Sequence, residues 1–272
     1  MSEALPAGVT LLLAVAPLAL LVFFMAWEAG AERQPFASAG ARWRHAAANL
    51  SLLAIAMALR MGAVPTTSDS VERWAIDAVA LGWTTPVLGS FLPPWGIVVV
   101  QLGIALVAVD LFEYGRHRLH HAVPVLWRVH RVHHSDPLLD ATSAGRTHPL
   151  ESIVTTLLTL AVLLLAGVPL WIEALRASLV NPVVFAQHAN VRFGPALERL
   201  SLFATPEFHR VHHSREVTDQ QSNFGQLLTI WDRWFGTHRP PPSTGVASMG
   251  VDGLDGSQSL ARLLWLPVER DN

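Results

Sequence analysis

The sequence predicts an all-α integral membrane protein: a helical bundle of about four to five membrane segments with a histidine-rich metal centre on its cytoplasmic side. Three observations carry this expectation. First, 51% of the 272 residues are hydrophobic and only 15% are charged, and mean hydropathy is positive. Second, several nearly uncharged stretches approach the roughly 20 residues that a helix needs to cross a bilayer core. Third, the hexapeptide His130-Arg131-Val132-His133-His134-Ser135 recurs letter for letter as His209-Arg210-Val211-His212-His213-Ser214. The chain around the two copies is not repeated, so the shared feature is a chemical task and not a duplicated fold.

The membrane segments follow in order. Ala7 to Trp27 is uncharged and lacks the positive flank of a signal peptide, which makes it a retained anchor. Ala46 to Val64 is the second span, with Arg60 near its far end placed to snorkel to the interface. Ile76 to Leu92 is apolar but rich in Gly, Thr and Pro, so it reads as a surface-lying or re-entrant segment. Trp95 to Phe112, opened by Pro93-Pro94, is the third span, and Ile153 to Ile172 the fourth. Ala174 to Gln187 makes a weaker fifth, expected to break at Asn181-Pro182. Arg33, Arg42 and Arg44 follow the first span, and Arg116, Arg118, Arg128 and Arg131 accompany the histidines. The positive-inside rule therefore puts the histidines on the cytoplasmic face and the amino terminus outside. Three parts result: membrane anchors over 1–104, a histidine-bearing unit over 105–238 with a membrane hairpin at 150–187, and a Pro/Gly/Ser-rich tail over 239–272. Leu260 to Leu266 in that tail is expected to form a short interfacial helix or to stay a loose end.

Histidine is the commonest metal-ligating side chain, because neutral imidazole offers a nitrogen lone pair at physiological pH. Eight of the thirteen histidines fall in three boxes. His117 and His121 stand one helical turn apart, and His130, His133, His134 and His209, His212, His213 share the pattern His-x-x-His-His. In that pattern the first and last residues face one way and the middle one is rotated by about 100°, so one segment can serve two neighbouring ions. Asp110 and Glu113 lie on the stripe of His117 and His121, where a carboxylate can receive a ligand's second ring N–H or ligate directly. His120 points away and is expected to be structural. His45, in a basic juxtamembrane run, and His238, in a Pro-rich loop, are expected to be solvated, and alanine at either to be nearly silent. His148 and His188 stand alone, and a lone histidine is more often a satisfied polar residue than a ligand.

Cysteine is absent, which excludes disulfides, thiolate zinc sites and clusters ligated by this chain's own thiols. A near-balanced charge gives no reason to expect nucleic-acid binding. The zinc-hydrolase pattern His-Glu-x-x-His and the Glu-x-x-His pairs of soluble di-iron bundles are both missing. Eight or more imidazoles exceed what one ion can use, so two ions are implied, and nitrogen ligation alone leaves Fe, Zn and Cu open. A non-redox membrane zinc protein, hydrolase or metal transporter, is the rival class. A transporter should carry its ligands mid-span, whereas these boxes lie outside the apolar stretches.

The spacing His-x3-His, His-x2-His-His, His-x2-His-His within a membrane protein resembles the membrane fatty acid hydroxylase / sterol desaturase superfamily. The likeness extends to Asp110-x3-Tyr114-x2-His117-Arg118, Pro124-x-Leu126-Trp127-Arg128-x-His130, Arg146-x-His148-Pro149-x-Glu151, Thr205-Pro206-x2-His209, Asn223-x-Gly225 and Trp231-Asp232-x2-Phe235-Gly236-Thr237. The resemblance implies a non-haem di-iron centre, with Zn as a substitute metal, that uses O2 to hydroxylate or desaturate a sterol, fatty acyl or isoprenoid lipid. It implies ten ligands: His117, His121, His130, His133, His134, His148, His188, His209, His212 and His213. Asp110, Glu113, Asn190 and Asp232 become candidates to orient them. No flavin or nicotinamide fingerprint and no haem-carrier domain accompanies the boxes, so an external ferredoxin, reductase or small haem protein is expected to supply electrons. High alanine content and the lack of an organelle signal point to a bacterial inner membrane.

Overall fold

The computed structural model describes residues 7–63, 84–243 and 245–269, and these are helical with two isolated β-bridges and no strand. Long helices run over Ala7–Gly30 (α1), Ala39–Ala63 (α2) and Pro94–Ala122 (α4), with a short helix Thr84–Gly89 (α3) before the last. Pro124–His134 (α5) follows α4 directly, and Pro149–Leu165 (α6) and Ile172–His188 (α7) form a hairpin. Four short helices complete the unit: Pro195–Glu198 (α8), Pro206–His212 (α9), Val217–Gln220 (α10) and Ile230–Trp234 (α11). Leu260–Trp265 (α12) lies near the carboxyl end.

Proline sets where the helices begin. Pro94, Pro124, Pro149, Pro195 and Pro206 each occupy the first helical turn, where a missing N–H costs nothing and a fixed φ favours the start. Before Pro124 the chain must leave the α region, and Val123 is extended at φ −105 and ψ 117. That single residue separates α4 from α5 and lets His130 swing back against the end of α4.

Among the described residues, one helix, α4, is long and apolar enough to cross a bilayer. α6 and the Val15–Gly30 part of α1 are apolar but shorter. α4 packs its Ala105 and Val109 against Leu163, Val168 and Ile172 of the α6–α7 hairpin, while Val99, Val107, Val154 and Leu165 stay exposed on the outside. An apolar outside around an apolar inside suits lipid and not water.

Three expectations are corrected. α7 does not break at Pro182 but runs unbroken through it. Proline removes one hydrogen bond and crowds the preceding turn, and tertiary packing of Val180, Gln187 and His188 on one side holds the helix together across it. The tail is not a loose end: it forms the short helix α12. Leu263 and Leu266 are fully buried against Ala48, Leu52 and Val132 of α2 and α5, and Gly250 N–H donates to the His213 carbonyl at 3.2 Å. Of the segment Ile76 to Leu92, residues 76–83 lie outside the described residues. Its remainder holds α3, whose Thr85 hydroxyl accepts from Gln101 of α4 at 2.9 Å.

His45 is the third correction. It is buried, with Nε2 3.4 Å from Asp136 and 3.6 Å from Asp140, while Asn49 lies 3.1 Å from the same nitrogen. Burial alone would lower its pKa, but the two aspartates more than offset this and raise it. Composition hid this, because the aspartates lie about 90 residues downstream and fold back only with the 3-10 turn Ala141–Gly145. His45→Ala leaves two buried carboxylates short of a counter-charge. We expect it to cost about 3 kcal/mol or more of stability, read as a lowered midpoint of thermal unfolding in detergent; an unchanged midpoint would restore the solvated reading.

Candidate metal centre

Nine histidines from four helices converge into two groups. His117, His121, His130, His134 and His212 form one, and His133, His188, His209 and His213 the other; within each group one nitrogen per ring lies within 4.8 Å of all the rest. Box one comes from the carboxyl end of α4, box two from α5, box three from α9 and its C-cap His213, and His188 from the last turn of α7.

The two identical cassettes exchange their middle residues. α5 gives His130 and His134 to the five-histidine group and His133 to the other, whereas α9 gives His209 and His213 to the four-histidine group and His212 to the first. The rings of His134 and His213 stack at the junction, with centroids 4.5 Å apart and planes 21° apart. Matching sequence thus serves a matched pair of half-sites facing each other. The other letters of the repeat anchor each copy. Val132 and Val211 are fully buried. Arg131 donates to the carbonyls of Leu266 and Glu269 at 2.7 and 2.6 Å, and Arg210 to that of Ala189 at 2.7 Å.

Hydrogen bonds on the outer nitrogens aim the inner ones. Nδ1 of His117 lies 2.9 Å from the Phe224 carbonyl, Nδ1 of His212 2.8 Å from that of Ser222, and Nδ1 of His188 2.8 Å from that of Val184. A carbonyl only accepts, so each Nδ1 carries the proton and each Nε2 keeps its lone pair. His130 Nδ1 lies 2.9 Å from the Glu151 carboxylate. Nε2 of His117, His130 and His212 is buried without a hydrogen-bond partner, an arrangement that costs free energy unless something cationic sits there. In the four-histidine group, successive Nε2 atoms are separated by 3.4 Å (His133–His188), 3.2 Å (His188–His209) and 3.1 Å (His209–His213). Two nitrogens bound at about 2.1 Å to one ion, at roughly 90–110°, stand about 3.0–3.4 Å apart. A proton bridges one pair at a time; an ion serves all four. The donor sets therefore fit two nitrogen-ligated metal ions.

Burial lowers the pKa of His133, His134, His209, His212 and His213, so these rings stay neutral and ready to ligate. Burial pushes the His212 imidazole down to about 3, against the opposing Ser222 carbonyl. Burial would raise the Glu151 carboxyl, but His130 and Arg116 together hold it well below the usual carboxylate range. Arg116 bridges Glu151 at 2.9 Å and Glu113 at 2.7 Å, so the anion that orients His130 is itself fixed in place.

The four proposed orienting residues act differently from expectation, and none of them bonds a ligand ring. Asp110 accepts from the backbone of Leu227 at 2.8 Å and Leu228 at 3.1 Å and from the Trp231 indole at 2.7 Å. Glu113 is taken up by Arg116. Asn190 binds Gln34. Asp232 accepts from Phe224 and Gly225 N–H, both at 2.8 Å, so it works one step removed by shaping the loop whose carbonyls hold His117 and His212. Asn223 turns that loop at φ 57 with its side chain bonded to Phe208 and Arg239. At Gly225 a Cβ would meet the Leu228 carbonyl at 2.5 Å. Backbone acceptors such as Ser222 and Phe224 leave no mark in residue type. Glu151 did leave one, in Arg146-x-His148-Pro149-x-Glu151.

His148 is the other correction. Its ring caps α6, accepting from Leu150 N–H at 3.2 Å, and its far nitrogen faces the Leu264 carbonyl; it belongs to neither group. With Pro149 starting the helix, the residue before it is placed at the N-cap and outside both histidine groups. His148→Ala should cost about 0.5–2 kcal/mol as a lost cap and leave metal content unchanged; loss of an ion would restore it as a ligand. His120 bonds the Arg116 carbonyl at 2.8 Å, and His238 packs half-buried on Phe208; both stand outside the two groups.

A buried cage of imidazoles able to hold two ions, at the end of a membrane-length helix, defines the class: a helical protein with a candidate metal centre built from nitrogen donors. The chain belongs to the fatty acid hydroxylase family, whose model matches residues 102–237. It is 34% identical over 179 residues to ornithine lipid hydroxylase OlsE of Rhizobium tropici, covering 64% of this chain and 52% of that protein. Alkylglycerol monooxygenase of Danio rerio is 30% identical over 149 residues, covering 50% of this chain and 30% of its own. Fatty acid hydroxylase vlmA of a Lecanicillium species is 31% identical over 157 residues, covering 53% and 43%. The chain thus spans about half, or less, of the curated relatives that it matches. No solved structure matches it significantly.

Proposed function

We propose that this chain is a membrane-bound lipid hydroxylase that holds two iron ions and uses O2 with electrons from an external carrier. The observation that carries this reading is the pair of interleaved imidazole groups, nine histidines in all, with Nε2 of His117, His130 and His212 bare and the outer nitrogens of those three rings tied. Aliphatic C–H bonds are too inert for acid–base chemistry, and bound iron supplies the O2-activating redox chemistry that they demand. The protein's own part is to hold and to exclude. His117, His121, His130, His134 and His212 hold one ion and His133, His188, His209 and His213 the other. Glu151, Ser222, Phe224 and Val184 keep ligand rings turned inward, and burial keeps bulk water away.

Relatives named for hydroxylation of ornithine lipid and oxygenation of alkylglycerol favour hydroxylation over desaturation, and a lipid as substrate. The anchors lie within 1–104, the catalytic unit over 105–238 and the tail over 239–272, with Leu263 and Leu266 of the tail packed on α2 and α5. With α1, α2, α4, α6 and α7 as membrane segments, the ion cage faces the cytoplasm of a bacterial cell, where a ferredoxin, reductase or small haem protein can reach it.

The test is direct. The full chain is purified into nanodiscs, its metals are counted, and it is supplied with a chemical or ferredoxin reductant and bacterial lipids. The expected result is about two irons per chain and an O2-dependent lipid product heavier by one oxygen atom. Zinc with no O2 dependence would replace this reading with the non-redox one.

A further inference from the structure

We propose that the surface built by residues 199–203 and 233–235 is a second membrane contact, lying flat against an anionic bilayer surface beside α4. The inference rests on the reading of α4 as a membrane span.

The surface is one structural piece. Thr229 N–H donates to the Leu202 carbonyl at 3.0 Å and Ala204 N–H to that of Leu227 at 2.9 Å, with Phe203 bridged to Leu228. Arg233 closes it by donating to the Ser201 carbonyl at 3.0 Å. These bonds bring together five large apolar side chains that stay exposed: Leu200, Leu202, Phe203, Trp234 at 69% exposure, with one edge on Trp231, and Phe235 at 51%, with one face on Tyr114. Arg118, Arg199 and Arg233 are exposed beside them. Of the nearby carboxylates, Glu207 pairs with Arg33, Asp232 is buried on Phe224, Gly225 and Thr237, and Glu198 is half-buried beside Thr205.

Two features choose a bilayer as the occupant. Aromatic and leucine side chains interleaved with arginines match the interfacial layer, where rings sit among headgroups and guanidinium groups meet lipid phosphates. The patch is also continuous with the membrane helix, since Phe235 lines one open apolar cavity of about 390 Å³ with Leu111, Arg118 and Leu119 of α4. Leu111 lies on the apolar stretch and Arg118 two turns beyond it, so α4 leaves the bilayer at the level of Phe235. The consequence is positional. Asp110 of α4 binds Leu227, Leu228 and Trp231 just behind the patch, and the adjoining Phe224 carbonyl holds His117. The five-histidine group is thereby held one layer from the lipid.

The chain has no cysteine, so single thiols can be placed at will. Leu202→Cys and Phe235→Cys are labelled with an environment-sensitive fluorophore in the full-length protein and reconstituted into nanodiscs of phosphatidylcholine and phosphatidylglycerol. Asp252→Cys, on a side chain 84% exposed in the tail, reports water, and Val99→Cys, on the outer face of α4, reports the bilayer core. Labels at 202 and 235 should emit blue-shifted relative to 252 and be quenched by headgroup-level spin-labelled lipid at least twofold more than by chain-end spin label. Combining Arg118→Glu, Arg199→Glu and Arg233→Glu should reduce that quenching at least twofold. Emission at 202 and 235 equal to that at 252, with 99 still lipid-quenched, overturns the proposal while leaving the span intact. So does shielding that arises only when a soluble protein is added. A water-like signal at 99 as well would defeat the span itself. Neither readout depends on metal or turnover, so either failure stands apart from that of the oxygenase reading.

Discussion

Replacing His133 by alanine should leave the purified protein with about one metal ion per chain in place of two, and without lipid-hydroxylating activity. His133 sits in the second box, yet its nitrogen belongs with His188, His209 and His213. Its loss takes that group from four imidazoles to three. Structural zinc held by four ligands binds with roughly 10–16 kcal/mol, so each ligand is worth on the order of 3 kcal/mol, or a factor of about 100 in affinity. His212→Ala removes one of five and leaves a complete set of four. It should therefore retain more metal than His133→Ala while also losing turnover. Both variants should insert into membranes like the parent, because neither residue lies in an apolar span. Full turnover by either variant, or two ions retained by His133→Ala, would contradict the exchange of middle histidines between the cassettes.

Glu151→Ala should lower metal affinity and turnover by about 10–100-fold, the usual range when the partner that orients a ligating histidine is removed. Two losses combine. His130 Nδ1 loses its acceptor at 2.9 Å and is free to rotate its Nε2 away from the five-histidine group. Arg116 loses one of its two carboxylates, leaving part of a buried cation without its counter-charge, which adds about 1–3 kcal/mol of destabilisation. Glu151→Gln keeps an oxygen in place and should fall between the two. Iron titration of the metal-free protein measures the effect apart from activity. An affinity unchanged in Glu151→Ala would mean that His130 needs no orienting partner.

Much of the site was legible because imidazole spacing on a helix is a local property. His117 with His121, and each His-x-x-His-His, can be placed on helix faces from 3.6-residue periodicity alone, and prolines at 94, 124 and 206 mark where those helices start. Periodicity also shows that His133 and His212 face away from their box-mates, but not what they face, which is fixed by how α5 and α9 pack. His148 misled because its neighbouring proline gives it a second local role as a cap. His45 misled because its partners Asp136 and Asp140 arrive from a distant turn, and a basic neighbourhood in sequence says nothing about that. Leu263 and Leu266 had the spacing of an amphipathic segment. Only the apolar surface of α2 and α5, with Leu52 and Val132 at its centre, decided that they face protein and not lipid.

The most direct measurement is X-ray absorption at the metal edge on the full-length protein in nanodiscs, with total metal counted on the same sample. Two ions per chain, each surrounded mainly by imidazole nitrogens at about 2.1 Å, is the predicted result. A single ion per chain, or a shell made mostly of oxygen, would contradict the two-group cage.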